Sequence, residues 1–119
     1  MELVVDQREG VALVTLSGDV DAGSVQLLRD TFDRLVAAGQ HRFVVDLGDV
    51  PFMDSAGLAC LVQLFKRVRI GEGDVRICTL QPAVLRIFEL VRLTRVFELF
   101  DTPEAAFASY AEPSLRASS

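Results

Sequence analysis

The sequence predicts a single α/β domain, a mixed sheet of four to five strands with helices packed against it, and three observations carry that expectation. Short β-type runs alternate with helical stripes along the whole chain. Strand, helix and strand follow one another at spacings that demand parallel pairing with right-handed crossovers. The run Phe43-Val44-Val45-Asp46-Leu47 has the apolar character of a strand covered on both faces, which marks it as the central strand. With 119 residues, the chain fits one domain able to bury roughly two-thirds of its unfolded surface.

Residues 3–7 are a first candidate strand, and a turn at Glu9-Gly10 folds it back as a hairpin on residues 11–16, which close at Ser17-Gly18. Helix signals begin at Asp21. An Asp at the N-cap with Ser24 at the third helical position satisfies orphan amides, and Val25, Leu28, Phe32, Leu35 and Val36 keep a helical period until Gly39. After the central strand and a loop over 48–54, Leu58, Leu61, Val62, Phe65 and Val68 make a second amphipathic helix that ends near Gly71-Glu72-Gly73. Residues 75–80 are a further strand. Pro82 suits a first helical position, so a third helix is expected from 83 to about 93, with Val84, Leu85, Ile87, Phe88 and Val91 apolar. A short strand over 96–100 precedes Thr102-Pro103-Glu104, a cap, a Pro at N1 and an acid opening a terminal helix that runs to about Tyr110. The order is therefore β-β-α-β-α-β-α-β-α over residues 1–111, and residues 112–119, with little to bury, are expected to be a disordered tail.

Twelve Lys and Arg against 17 Asp and Glu give a net charge of −5, and aromatics make up only 8%. A phosphate-backbone binder needs a basic face to displace counterions, so nucleic acid is not an expected partner. Charge breaks the first apolar run after Val5, and no stretch approaches the 18 or so uncharged residues of a membrane span, so a cytoplasmic protein is expected. Cys60 and Cys78 have no Cys or His neighbours at ligand spacing and are expected to be packing thiols, with no metal, disulfide or cofactor implied.

Functional groups in such sheets collect at the carboxyl ends of the strands, which directs attention to the loop after Leu47. There Asp54-Ser55-Ala56-Gly57 opens a helix and places the Ser55 hydroxyl where backbone amides and the positive dipole end converge, a seat for an anion. Asp54 or Ser55 serving simply as the helix cap explains the same spacing. A nucleophile elbow fails, because Met53 stands at the first glycine of G-x-S-x-G and the single histidine, His41, precedes the serine. Without an imidazole to take the hydroxyl proton, an enzyme is not expected. Neither phosphate-loop pattern is present, and the acids Asp19, Asp21, Asp46, Asp49 and Asp54 read as turn and cap residues rather than a Mg²⁺ site.

The segment from Asp46-Leu47 through Phe52-Met53-Asp54-Ser55-Ala56-Gly57-Leu58, preceded by Leu16-Ser17-Gly18-Asp19-Val20-Asp21 and followed by Gln81-Pro82-Ala83-Val84-Leu85-Arg86-Ile87-Phe88, resembles the bacterial anti-sigma factor antagonists, whose domain is called STAS. The resemblance runs from about Leu3 to Tyr110. It implies a binding switch: an unphosphorylated form that binds an anti-sigma factor with serine kinase activity and frees its sigma factor, phosphorylation that abolishes binding, and a separate PP2C-type phosphatase that restores it. The family's phosphorylated serine corresponds to Ser55, its acidic neighbour to Asp54, the acid closing the loop before the first helix to Asp21, and the glycine near the start of the second helix to Gly57. Ala56 stands where many relatives carry a second hydroxyl, and Val91-Arg92-Leu93-Thr94 replaces a glycine-containing turn. An alternative within the same fold is a docking subunit of a stressosome-like or transporter-associated assembly. Setting Leu58 inward at 100° per residue turns Cys60 outward and Leu64 to the flank, so both are expected on a partner-binding face beside Gly57.

Overall fold

In the computed structural model, which describes residues 1–111, β1 (Glu2–Arg8) and β2 (Val11–Ser17) form an antiparallel hairpin whose turn, Glu9-Gly10, has positive φ at both residues. That is the backbone of a two-residue primed turn, whose twist matches the strands it joins. Helix α1 (Val25–Ala37), β3 (Arg42–Asp49), α2 (Ser55–Ile70), β4 (Asp74–Cys78), α3 (Pro82–Leu90), a short 3-10 helix (Leu93–Arg95), β5 (Glu98–Phe100) and α4 (Pro103–Tyr110) follow. The sheet order is β1-β2-β3-β4-β5, and every pair after the first is parallel. The predicted element order and the mixed sheet are present. The expectation for residues 112–119 lies outside the described residues.

The parallel strands follow in simple sequence, and α1, α2 and α3 pack together on one face of the sheet, as crossovers of one hand require. Alternate residues divide the core accordingly. Ala12, Val14, Leu16, Phe43, Val45, Leu47, Val75 and Ile77 pack with these three helices, while Val11, Leu13, Val44 and Cys78 meet Ala106 and Tyr110 of α4 on the other face. Strand β3 sits in the middle, with Phe43, Val44, Val45 and Leu47 fully buried, as its apolar run predicts.

A compact polar clasp holds α4 down. The Tyr110 hydroxyl lies 2.9 Å from the Phe43 carbonyl and 2.8 Å from the Asp74 carbonyl. The buried Arg76 guanidinium stands 3.9 Å from the centre of the Tyr110 ring and pairs with Asp74 at 3.2 Å. Burial pushes the Tyr110 hydroxyl pKa well above its ordinary value, with the Asp74 charge adding to the shift. The Cys78 thiol on the same face is raised to about 11, chiefly by burial.

Several element boundaries differ from the sequence reading: α1 begins only at Val25, and β4 ends at Cys78 instead of residue 80 because Thr79 takes a positive φ of 64°. Helix α3 stops at Leu90 because Arg92 adopts a left-handed conformation (φ 63°), so Val91, expected on the apolar face, is 52% exposed. The chain then turns through the 3-10 helix, and β5 begins at Glu98, leaving the buried Phe97 ring against Phe65 and Phe88 instead of in a strand.

Candidate functional site

The carboxyl ends of β2 and β3 do not separate into independent loops. Backbone hydrogen bonds from Gly18 to the Asp49 carbonyl (2.9 Å), from Val20 to Phe52 (3.0 Å) and from Asp54 to Val20 (3.1 Å) zip residues 18–20 to residues 49–54, and Val20 and Met53 form an isolated parallel bridge. Val20, Val50 and Met53 are buried beneath this pair of loops. An apolar side chain between two acids, Asp19-Val20-Asp21, was the readable sign that the first loop is anchored rather than free.

Each loop ends in an aspartate whose carboxylate accepts from backbone amides that follow it, in the turn before α1 and at the start of α2. Asp21 Oδ1 accepts from the amides of Gly23 and Ser24, both at 3.1 Å, and the Asp21 amide donates back to Ser24 Oγ at 3.0 Å. The expectation that Asp21 is the N-cap of α1 with Ser24 inside the helix is not met: the reciprocal bonds close a turn ahead of the helix, and α1 begins at Val25 with Ser24 as its N-cap and no side-chain cap bond. Asp54 is the N-cap of α2. Its Oδ1 accepts from Ala56 (2.9 Å) and Gly57 (3.1 Å), and its Oδ2 accepts from the Ala22 amide (3.1 Å), so one carboxylate ties the amino ends of α1 and α2 together.

With Asp54 acting as the cap, Ser55 is the first residue of α2, exposed, and its hydroxyl makes no hydrogen bond among the described residues. The sequence left open which of the two caps the helix; the structure gives that role to Asp54. Gly57, one turn on, is buried, and a Cβ there would lie 2.7 Å from Met53 Cγ and 2.9 Å from Val20 Cγ1. Its role in this structure is therefore close packing of α2 on the zipped loops. Gln81, not singled out from the sequence, braces the site from the far side by donating to the Gly48 carbonyl at 2.9 Å. Around the tip, Asp19 and Asp49 are exposed, and Phe52 presents an apolar side chain that is 46% exposed.

Asp21, Asp54, Ser55 and Gly57 thus come together at one end of the sheet. Cys60 and Leu64 do not join them on a surface: they are 3% and 1% exposed. The expectation that they face a partner is overturned, because α2 packs against α1 as well as the sheet. Both line a narrow cavity of about 80 Å³ between the two helices, beside Arg29, Phe32 and Asp33. The buried arc of α2 is Gly57, Cys60, Leu61, Leu64 and Val68, turned by roughly a quarter revolution from the predicted stripe. Burial raises the Cys60 thiol pKa, in keeping with a packing thiol.

Comparison with known proteins adds to this geometry. A protein from Bordetella bronchiseptica named as the anti-sigma factor antagonist BtrV is 30% identical over 110 residues, spanning 92% of this chain and 95% of that one. The anti-sigma-B factor antagonist of Bacillus subtilis is 30% identical over 95 residues, 80% of this chain and 86% of the relative. The crystal structure of an anti-sigma factor antagonist from Mycobacterium paratuberculosis superposes with a TM-score of 0.84 at 27% identity, covering 91% of this chain and 92% of that one. The described chain contains no helix long and apolar enough to cross a membrane. The profile of the STAS domain matches residues 2–106, and the chain belongs to that family.

Proposed function

We propose that the chain is an anti-sigma factor antagonist controlled by phosphorylation of Ser55. Its unphosphorylated form binds an anti-sigma factor that is also a serine kinase, releasing the sigma factor. Transfer of a phosphoryl group to the Ser55 hydroxyl ends that binding, and a PP2C-type phosphatase restores it. ATP and Mg²⁺ belong to the kinase, and the chain itself performs no catalysis. The observation that carries this reading is the division of labour at the start of α2: Asp54 meets the capping requirement, which leaves the neighbouring hydroxyl exposed and uncommitted.

The physical consequence of phosphorylation falls on the complex. A phosphoserine adds about −1.5 to −2 charge. At a helix amino terminus an anion is favoured by roughly 0.3–1 kcal/mol, which offsets repulsion from the nearby carboxylates and leaves the fold little changed. In a closed interface, two like charges about 4 Å apart at an effective dielectric near 20 repel by about 4 kcal/mol, enough to reduce affinity more than a hundredfold. Incubation with the cognate anti-sigma kinase and labelled ATP should phosphorylate the wild type at Ser55 and leave Ser55→Ala unlabelled. Undiminished labelling of Ser55→Ala would overturn the site.

A further inference from the structure

Strand β1 lies at the edge of the sheet, paired only with β2, and runs for seven residues. In a two-residue hairpin the residues flanking the turn, Arg8 and Val11, form a hydrogen-bonded pair, so hydrogen-bonded and open positions alternate back along β1. Glu2, Val4, Asp6 and Arg8 therefore direct their backbone groups to β2, whereas Leu3, Val5 and Gln7 direct theirs outward. The Gln7 amide agrees with this assignment, since it donates to the side chain of Asp6 at 2.9 Å. An open edge of this length is a template for another strand. Val4, on its outer face, is 64% exposed.

The charges along the edge select the partner. Two copies paired antiparallel about a two-fold axis normal to the sheet keep their even-numbered residues on one face, so even residues must oppose even ones. Centring the axis on Val4 sets Glu2 against Asp6, and centring it on Asp6 sets that carboxylate against its own copy. Both are like-charge contacts, which destabilise a sheet. Axes at Leu3 or Gln7 overlap too few residues to form a ladder. An axis at Val5 places Glu2 of each copy opposite Arg8 of the other, and pairs Leu3 with Gln7 and Val5 with Val5 through about six backbone hydrogen bonds. Glu2 and Arg8 then occupy non-hydrogen-bonded positions, where opposed side chains approach most closely.

We propose that the β1 edge is a self-association surface joining two copies of the chain into a continuous sheet, in the register that pairs Glu2 with Arg8. On pairing, Arg8 exchanges its exposed contact with Asp6, 3.3 Å long in the single chain, for Glu2 of the second copy, and the Gln7 amide exchanges the Asp6 side chain for a backbone carbonyl. Because the edge is short and its open backbone groups are solvated in the single chain, the association is weak, in the micromolar range or above. Ser55 belongs to α2 and the pairing uses only residues of β1, so the proposal stands apart from the phosphorylation reading.

Sedimentation equilibrium of the full chain from about 10 µM to 1 mM tests it, with melting curves to verify that each variant is folded. The wild type should shift from monomer to dimer. Glu2→Arg turns both ion pairs into repulsions and should raise the dissociation constant about tenfold or more, and adding Arg8→Glu should restore it. Val5→Pro removes an outward amide without touching the β1–β2 ladder and should leave a folded monomer. A wild type that remains monomeric at the highest concentration would overturn the proposal. A dimer indifferent to the charge reversal, or to a folded Val5→Pro chain, would do the same.

Discussion

Replacing Asp54 by Ala tests the architecture on which the site depends. Three backbone amides, those of Ala22, Ala56 and Gly57, lose their acceptor in this variant. Loss of an N-cap costs about 0.5–2 kcal/mol, and the additional bond to Ala22 contributes about 1 kcal/mol. The sum, about 1.5–3 kcal/mol, corresponds to a fall in melting temperature of roughly 6–12 °C for a domain of this size. Urea unfolding should report the same free energy with an unchanged denaturant slope. Asp54→Asn keeps a good cap and should retain about half of the loss. Hydrogen exchange adds a local readout, because the Ala22 amide on α1's side should accelerate together with those of Ala56 and Gly57. A stability change below about 0.5 kcal/mol, or an unaltered Ala22 amide, would refute the claim that one carboxylate joins the two helix starts.

Three other perturbations probe the packing. Gly57→Ala should destabilise by about 1–3 kcal/mol in thermal unfolding despite its better helix propensity, because Met53 and Val20 occupy the space a methyl would take. Leu64→Ala should cost about 2–5 kcal/mol in urea unfolding, as expected of a core leucine and not of a surface contact. The Cys78 thiol, raised from 9.0 to about 11, is neutral in the folded chain at pH values where the unfolded chain ionises. Its contribution is fully present below about pH 9 and lost as pH rises towards 11, so the stability measured by denaturation across that window should fall with pH, and Cys78→Ala should make the decline shallower.

Much of the fold was legible because local and tertiary signals agree along β2 and β3. Their apolar runs are buried on both faces, and Gly10 of the hairpin turn and the Thr102-Pro103 helix start are residues suited to those backbones. Thr102 Oγ1 accepts from the Ala105 amide at 3.1 Å, the bond that its position implies. Cys60 and Leu64 were misread for a specific reason. A helix wheel assumes one buried direction, and α2 has two neighbours, the sheet and α1, so its buried arc swings towards α1. Helix α3 ended early at Arg92, a non-glycine residue with positive φ, where the residue types give no stop and only the resemblance, through the glycine-containing turn of relatives, points to a turn. At the site, the sequence placed Asp54 and Ser55 correctly at a helix start yet could not divide their roles. The second oxygen of Asp54 also holds the Ala22 amide, 32 residues away in the chain and within 3.1 Å, a contact no local pattern reveals.

The central claim is that negative charge on Ser55 defeats partner binding while the scaffold stays intact. Calorimetric titration of the cognate anti-sigma factor with unmodified protein and with protein stoichiometrically phosphorylated at Ser55, accompanied by melting curves of both forms, measures it directly. Phosphorylation should weaken binding by a hundredfold or more and move the melting temperature by no more than a few degrees. Equal affinity of the two forms, or a loss of affinity that accompanies unfolding, would contradict it.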